Sequence, residues 1–364
     1  MRIAIAGGGT GGHLFPGIAI AEEFIKRDAA TEVIFIGTQK GIESRLLDSR
    51  GYVLKTIDIE GVTGRGIRGL MKGAFQIPKS MWQSRKILKH FSPDMVFGVG
   101  GYASGPAVLA ARLMNIPTAI AEQNAIPGMT NKILGHFVDR IFVTYEQTRA
   151  AFPPRKVIVS GNPVRASFTA QRFRTKKEKN CRQLLIFGGS QGAEAINRSV
   201  IEMLPQLKGR KEKICVMHQT GVRQLEEVKK VYEHFGIEAE VTSFIVDMAQ
   251  AYADAELIIC RAGATSLAEI TAAGKAAILI PYPWAANDHQ LKNAQAMKAE
   301  GAAEIIEEKE LSGSRLFGVV ESLLGDASKL RKMEMNASRI SKTGAAATIV
   351  DECMKLITEQ NRYH

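Results

Sequence analysis

The sequence predicts an α/β protein built as two parallel-sheet domains, and three observations predict it. Two glycine-rich turns stand half a chain apart, each directly after a short apolar run. Arg2-Ile3-Ala4-Ile5-Ala6 leads into Gly7-Gly8-Gly9-Thr10-Gly11-Gly12-His13, and Leu184-Leu185-Ile186-Phe187 leads into Gly188-Gly189-Ser190-Gln191-Gly192-Ala193. Short β-branched runs alternate with helical patterns in both halves, the signature of βαβ units. The length of 364 residues suits two domains or a little more. Glycine lets the chain turn sharply from strand to helix and lets backbone N–H groups approach an anion. The following helix N-terminus adds positive partial charge at the same point. Each half therefore reads as Rossmann-like with a phosphate cradle. Ligands on such sheets bind beyond the carboxyl ends of the strands, so two halves facing across a cleft would share one site.

The elements follow in order. After the strand Arg2–Ala6, the runs Glu32–Ile36, Tyr52–Ile57, Met95–Phe97, Thr118–Ala121 and Arg140–Val143 read as strands. A third glycine turn, Gly98-Val99-Gly100-Gly101-Tyr102-Ala103-Ser104-Gly105-Pro106, separates Met95–Phe97 from a helical run at Ala107–Met114. Residues 1–164 form the first domain. The basic, weakly apolar stretch 165–182 reads as a solvated linker. Residues 183–340 form the second domain, with strands at Leu184–Phe187, Ile214–Met217, Ala239–Thr242, Leu257–Cys260 and Ala277–Ile280. Ala327–Glu359 is mostly helical by pattern, and 341–364 forms a C-terminal helix able to pack back on the first domain.

Composition excludes several classes. Hydrophobic content of 45% and charged content of 23% are those of a globular protein with real cores. No apolar run approaches the roughly 18 residues of a membrane span, and the N-terminus is too short in apolar residues and too glycine-bound for a signal peptide. A cytoplasmic location is expected. Cys181, Cys215, Cys260 and Cys353 are widely spaced, so zinc and disulfide frameworks are not indicated and reduced thiols are expected. The net charge of +11 favours anionic partners. No nucleic-acid-binding signature accompanies it, so nucleic acid is not an expected partner. Gly7-x-Gly9-x-x-Gly12 matches a dinucleotide fingerprint, but the second strand ends in Gly37-Thr38-Gln39, without the acid that a nicotinamide site places on its ribose. No glycine loop ends in Gly-Lys-Ser/Thr. The acid pairs Asp58/Glu60 and Asp254/Glu256 fall outside the glycine loops, so no metal is expected.

Residues 61–90 contain seven basic residues and no Asp or Glu. Ile67, Leu70, Met71, Ala74 and Phe75 fall on one helical face. Arg68, Leu70, Lys72, Phe75, Lys79 and Trp82 together read as a basic amphipathic face for an anionic membrane surface. Pro78 is expected to interrupt this helix and leave Ile77, Met81 and Trp82 on a loop or second helix.

The order and content of the motifs resemble the MurG family of UDP-N-acetylglucosamine transferases. The resemblance rests on Gly8-Gly9-Thr10-Gly11-Gly12-His13-x-x-Pro16-Gly17, Gly100-Gly101-Tyr102-x-Ser104, Glu122-Gln123-Asn124 and Gly161-Asn162-Pro163-Val164-Arg165. It continues through Gly188-Gly189-Ser190-Gln191-Gly192-Ala193, Arg261-Ala262-Gly263-Ala264, Ser266-x-x-Glu269 and Asp288-x-Gln290. The family's paired glutamines are Gln290-Leu291 here. The resemblance implies the GT-B architecture, UDP-N-acetylglucosamine as donor and lipid I (undecaprenyl-diphosphate N-acetylmuramyl-pentapeptide) as acceptor. It implies an inverting transfer that forms a β-1,4 bond. A same-fold alternative is a UDP-N-acetylglucosamine epimerase or another sugar-nucleotide transferase. It further implies that Thr10, Gly11, Gly12, Asn124, Arg165, Ser190, Ile245, Gln290 and the run Ala264, Thr265, Ser266, Leu267, Ala268, Glu269 bind the donor. In that reading Ser190 and neighbouring N–H groups hold the diphosphate, Ile245 presents main-chain groups to uracil, and Glu269 accepts the ribose hydroxyls. Gly9, Gly100, Gly101, Tyr102 and Ser104 meet the acceptor diphosphate. A base must take the acceptor hydroxyl's proton; His13 is the first candidate and Glu122 the second. No cofactor is implied; helix termini and Arg165 would stabilise the leaving diphosphate. The enzyme would work peripherally at the cytoplasmic face of the cell membrane, with other cell-wall synthesis proteins as further partners.

Overall fold

Among the described residues of the computed structural model, every strand pairing is parallel, in two separate sheets. The structure describes residues 1–9, 11–39, 47–48, 50–59, 66–168, 181–189, 191–210 and 212–361, with side chains at 66–75 and 361 excluded. The chain divides into one unit of Met1–Ala166 with Lys342–His364 and a second of Ser167–Ser341. Residues 169–180 of the expected linker lie outside the described residues.

The first unit carries β1 (Arg2–Gly7), β2 (Glu32–Gly37), β3 (Val53–Thr56), β4 (Met95–Gly100), β5 (Thr118–Glu122), β6 (Arg140–Val143) and β7 (Val157–Val159), in the sheet order β3-β2-β1-β4-β5-β6-β7. Its helices are α1 (Gly11–Arg27), α2 (Gly66–Phe91), α3 (Ser104–Leu113), α4 (Met129–Leu134) and a C-terminal helix at Ala345–Asn361. Side chains alternate across a strand. Ile3 and Ile5 therefore pack with Leu14, Ile18 and Phe24 of α1 and with Ile349, Val350 and Cys353 of the C-terminal helix. Ala4 and Ala6 meet Ala107, Val108 and Ala111 of α3 on the other face. Each large side chain so buried stabilises the unit by about 1.5–3 kcal/mol. Near-continuous apolar strands follow from helices covering both faces.

The second unit carries β8 (Arg182–Phe187), β9 (Ile214–Gln219), β10 (Glu238–Thr242), β11 (Leu257–Cys260), β12 (Ala276–Leu279) and β13 (Glu304–Ile305), in the order β10-β9-β8-β11-β12-β13. Helices α5 (Glu194–Lys208), α6 (Leu225–Phe235), α7 (Met248–Asp254), α8 (Ala264–Ala273), α9 (His289–Ala299), α10 (Gly313–Leu324) and α11 (Ala327–Arg339) surround it. Leu184, Ile186 and Ile259 pack against Ile196, Val200 and Met203 of α5 and Leu316 and Val320 of α10. On the opposite face Phe187 meets Tyr252, which also meets Phe168 edge-on. In both sheets the strand order reverses beside the first strand, between β1 and β4 and between β8 and β11. Those are the topological switch points at which such sheets bind ligands.

Two expectations need correction. Helix α2 runs unbroken through Pro78. A proline removes one helical N–H and crowds the carbonyl four residues back. Here the turns around it are reinforced by side chains: the Ser80 hydroxyl donates to the carbonyls of Gln76 (2.7 Å) and Ile77 (3.0 Å), and Ser84 to that of Ser80 (2.7 Å). Second, Cys181 and Cys215 form a disulfide; Cys260 and Cys353 are free and buried. The register pairs Arg182 with Ile214 and Gln183 with Cys215. The two sulfurs thus meet across neighbouring strands, an adjacency that their 34-residue separation conceals. The edge strands β7 and β13, absent from the sequence reading, are three and two residues long, too short to leave a periodic signal.

Candidate active site

In the first unit the two glycine turns sit on the strands flanking the switch point, and they lock together backbone to backbone. A Cβ on Gly7 would lie 2.4 Å from the Gly100 carbonyl oxygen, and one on Gly101 would lie 2.5 Å from that of Gly8. Only glycine permits this approach, and both residues have positive φ. Gly9 has open space where its Cβ would stand. Gly11 and Gly12 begin α1 and so stand in the first turn of a helix. Thr10 lies outside the described residues. Ser104 opens α3 with its hydroxyl buried against Gly98, so its main chain is what the helix N-terminus can offer an anion. Tyr102 is 48% exposed beside it.

His13 stands in the first turn of α1, with its ring against Gly100; a Cβ there would lie 2.8 Å from Nδ1. Gln123, buried at the end of β5, donates from Nε2 to the Val99 carbonyl at 3.0 Å. That bond turns Gln123 Oε1 toward His13 Nδ1, at 3.3 Å. An amide oxygen only accepts, so the proton is assigned to Nδ1 and the imidazole lone pair to Nε2. Sequence reading missed this partner, although Gln123 stood inside a quoted motif.

Glu122 is 3% exposed. One carboxylate oxygen accepts from the Asn124 backbone N–H (3.0 Å) and Nδ2 (3.2 Å), the other from the Gly128 N–H (3.0 Å) and Asn131 Nδ2 (2.9 Å). Four donors on one carboxylate make it the organiser of the turn that carries Asn124. Glu122→Gln replaces an acceptor by an NH2 group that faces donors. Hydrogen bonds to a charged partner are worth roughly 1.5–3 kcal/mol each. Thermal unfolding of this variant should therefore show a loss of about 2–3 kcal/mol; an unchanged melting temperature would contradict the organising role.

In the second unit the corresponding switch-point turns are Gly188–Gly192 after β8 and Arg261–Gly263 after β11. The first leads into α5. The second leads straight into α8, whose opening turns are the run Ala264–Glu269. Thr265 and Glu269 are buried, as is Leu267, whose side chain belongs to the core. Arg261 pairs with Glu308 at 2.6 Å and donates to the carbonyls of Ile280 and Pro281, fixing the turn. Gln290, in the first turn of α9, accepts from the Tyr282 N–H at 3.0 Å. Ile245 follows β10 and is buried, and its N–H donates to Gln219 Oε1 at 2.8 Å. The carbonyl is then the main-chain group it can present to a base. Ser190 lies outside the described residues.

The matched models are the glycosyltransferase family 28 N-terminal domain over residues 3–143 and the family's C-terminal domain over 183–356. The chain is 50% identical over 357 residues to the UDP-N-acetylglucosamine–N-acetylmuramyl-(pentapeptide) pyrophosphoryl-undecaprenol N-acetylglucosamine transferase of Syntrophus aciditrophicus, covering 98% of this chain and 99% of that one. This chain belongs to the MurG family, within glycosyltransferase family 28. The crystal structure of MurG from Acinetobacter baumannii superimposes with a TM-score of 0.77 at 32% identity, covering 97% and 99% of the two chains. A UDP-GlcNAc 2-epimerase from Neisseria meningitidis, bound to UDP-GlcNAc, gives a TM-score of 0.66 at 13% identity over 98% and 100% of the chains. That second likeness is one of fold alone.

Of the residues the family resemblance assigns to the donor, Gly11, Gly12, Asn124 and Arg165 lie in the first unit and Ile245, Ala264–Glu269 and Gln290 in the second. Arg165 is held by the ring of Phe15 on α1, its guanidinium carbon 4.4 Å from the ring centroid. Of the basic face, Arg68, Leu70, Lys72 and Phe75 lie on α2, but their side chains are outside the described residues. Trp82 is 65% exposed, and Lys79 pairs with Asp58 at 2.8 Å. That ammonium, with Gln83, holds the Asp58 carboxyl below its ordinary range.

Proposed function

We propose that this MurG-family hexosyltransferase moves N-acetylglucosamine from UDP-N-acetylglucosamine to the muramyl 4-hydroxyl of lipid I, giving lipid II. The observation that carries this reading is the half-identical relative matched across almost the whole chain. Two glycine cradles at topological switch points, each leading into a helix, fit two diphosphate-bearing substrates. The epimerase alternative has only a shared fold behind it. Incubation with UDP-N-acetylglucosamine and a lipid I analogue, followed by product analysis, tests the assignment. A disaccharide-bearing lipid and free UDP are expected. Conversion of UDP-N-acetylglucosamine without acceptor would instead favour the epimerase.

The reaction inverts the anomeric carbon in one displacement. The acceptor oxygen attacks C1 as the C1–O bond to UDP breaks through an oxocarbenium-like state. His13 Nε2 takes the hydroxyl proton, with Gln123 fixing the ring. N–H groups at the starts of α5 and α8 and the Arg165 guanidinium stabilise the charge that develops on UDP. Glu269 accepts the ribose hydroxyls, the Ile245 carbonyl accepts from uracil N3–H, and Asn124 and Gln290 meet the sugar. The first-unit turns at Gly9, Gly100, Gly101, Tyr102 and Ser104 receive the acceptor diphosphate.

The acceptor's polyprenyl tail stays in a bilayer, so the enzyme has to dock on it. Among the described residues no helix is long and apolar enough to cross a membrane. Helix α2 supports peripheral docking, with exposed Ile77 and Trp82 and basic residues unopposed by any Asp or Glu in the helix. Each basic side chain near an anionic surface adds about 1 kcal/mol, screened by salt. The triple variant R68E/K72E/K79E should therefore cosediment far less with anionic vesicles at low salt, with unchanged UDP-N-acetylglucosamine affinity. Asp58 already offsets part of the Lys79 charge, so Arg68 and Lys72 should carry most of the effect. Equal cosedimentation of variant and wild type would remove α2 from the docking surface.

A further inference from the structure

We infer that Gln219 is a positioning residue that holds the diphosphate-binding turn and the base-binding turn of the second unit in register. The inference rests on the reading that these two turns bind UDP. Gln219 is the last residue of β9, one strand out from the switch point, and is 3% exposed. Its Nε2 donates to the Gly189 carbonyl at 2.8 Å, and its Oε1 accepts from the Ile245 N–H at 2.8 Å. The orientation is fixed by chemistry. Flipping the amide would set NH2 against N–H and oxygen against oxygen. One side chain thus ties the glycine turn after β8 to the turn after β10.

The platform beneath it is rigid. His218, the preceding residue, is fully buried between the Tyr232 hydroxyl (3.2 Å) and Asn197 Oδ1 (3.1 Å). Burial pushes its imidazole down to about 3, so the ring is neutral and serves as a hydrogen-bond link. Asn197 Nδ2 in turn donates to the carbonyl of Thr220, at 3.0 Å, and to Gln224 Oε1, at 2.8 Å. The Thr220 N–H reaches the Thr242 carbonyl at 3.0 Å. At Gly192 and Gly221 the β8 and β9 turns touch so closely that a Cβ on Gly192 would lie 2.0 Å from the Thr220 carbonyl oxygen. Gln219 extends this frame outward to Gly189, which has open space at its Cβ and a φ of +97°.

A ligand that spans two turns binds best when both are already in place, since ordering either on binding subtracts from affinity. UDP spans both turns, whereas uridine reaches the base and ribose positions but not the phosphate turn. Both ligands meet the base turn but only UDP also meets the phosphate turn, so loss of the strut should weaken UDP several-fold more than uridine, a difference that a purely packing role would not produce.

The test is a titration of wild type, Gln219→Met, Gln219→Glu and Glu269→Ala with UDP by calorimetry and with uridine by ligand-observed NMR. Gln219→Met keeps the length of the side chain and removes both bonds. It frees the Ile245 N–H as well as the Gly189 carbonyl, so it should raise the UDP Kd about tenfold or more and that of uridine by a smaller factor, about threefold. Gln219→Glu retains the acceptor for Ile245 but turns a carboxylate toward the Gly189 carbonyl and the phosphates. It should weaken UDP further while sparing uridine. Equal losses of UDP and uridine, or unchanged UDP affinity in Gln219→Met, would overturn the inference. Glu269→Ala separates the two levels. If it weakens both ligands while Gln219→Met is silent, the strut alone fails. If Glu269→Ala and Gln219→Met both leave UDP binding intact, the donor reading of these turns fails with it.

Discussion

His13→Ala should lower the transfer rate by about 10²–10⁴-fold, the usual contribution of a general base, while donor affinity and melting temperature stay close to wild type. The expectation rests on three contacts. The imidazole lies on Gly100, where no side chain could be admitted. It stands in the first turn of α1, beside the glycine turns assigned to the acceptor. Gln123, itself anchored on the Val99 carbonyl, assigns the Nδ1 proton and so places the basic lone pair on Nε2. A neutral imidazole with its lone pair on Nε2 can take up a proton and release it after product departs. The measurement is kcat with both substrates saturating, across pH 6–9, beside a UDP titration of the same preparation. Activity within a few-fold of wild type over that range would remove His13 as the base. Glu122 would not then inherit the role easily, because its two oxygens already accept four donors.

What was legible in the sequence divides along a physical line. Features set by local chain chemistry could be read directly. Glycine turns after apolar runs located the ends of β1, β4 and β8, and β-branched runs located most strands in between. Features set by which strands become neighbours could not. Cys181 and Cys215 meet only because β8 and β9 lie side by side. Gln123 and Gln219 matter through partners 24 and 30 residues distant. A local signal for Gln219 did exist: His218-Gln219-Thr220-Gly221 is a polar stretch with a glycine at a strand end, the same grammar as the other glycine turns. The hydrogen-bonding role of Glu122 was hidden for a related reason. A carboxylate beside Asn124 looks reactive in one dimension, and only the fold shows two backbone N–H groups and two amides closing on it. Pro78 marks the limit of a local rule: its penalty was right in kind, but hydroxyls two and six residues later reinforce the helix it was expected to end.

Glu269→Ala should raise the Kd for UDP-N-acetylglucosamine about 100-fold and leave acceptor affinity unchanged. Glu269 lies on α8, two turns in from an N-terminus at the switch point of the second sheet, and is 5% exposed. A carboxylate so placed can accept both ribose hydroxyls at once. Hydrogen bonds to a charged group contribute roughly 1.5–3 kcal/mol each, and about 2.7 kcal/mol is a factor of 100 in affinity. Glu269→Gln retains one acceptor oxygen and should fall between wild type and alanine. Because ribose is common to donor and product, UDP should weaken in parallel with the sugar nucleotide, and competitive inhibition by UDP should fade by the same factor. Thermal unfolding of each variant identifies any loss that comes from the fold instead. Acceptor affinity, measured with a soluble lipid I analogue, is the internal control, since the turns proposed for the acceptor lie in the other unit. A donor affinity within about twofold of wild type in a folded Glu269→Ala protein would leave two ribose hydrogen bonds with no energetic trace, and the ribose contact would have to be sought elsewhere on the second unit.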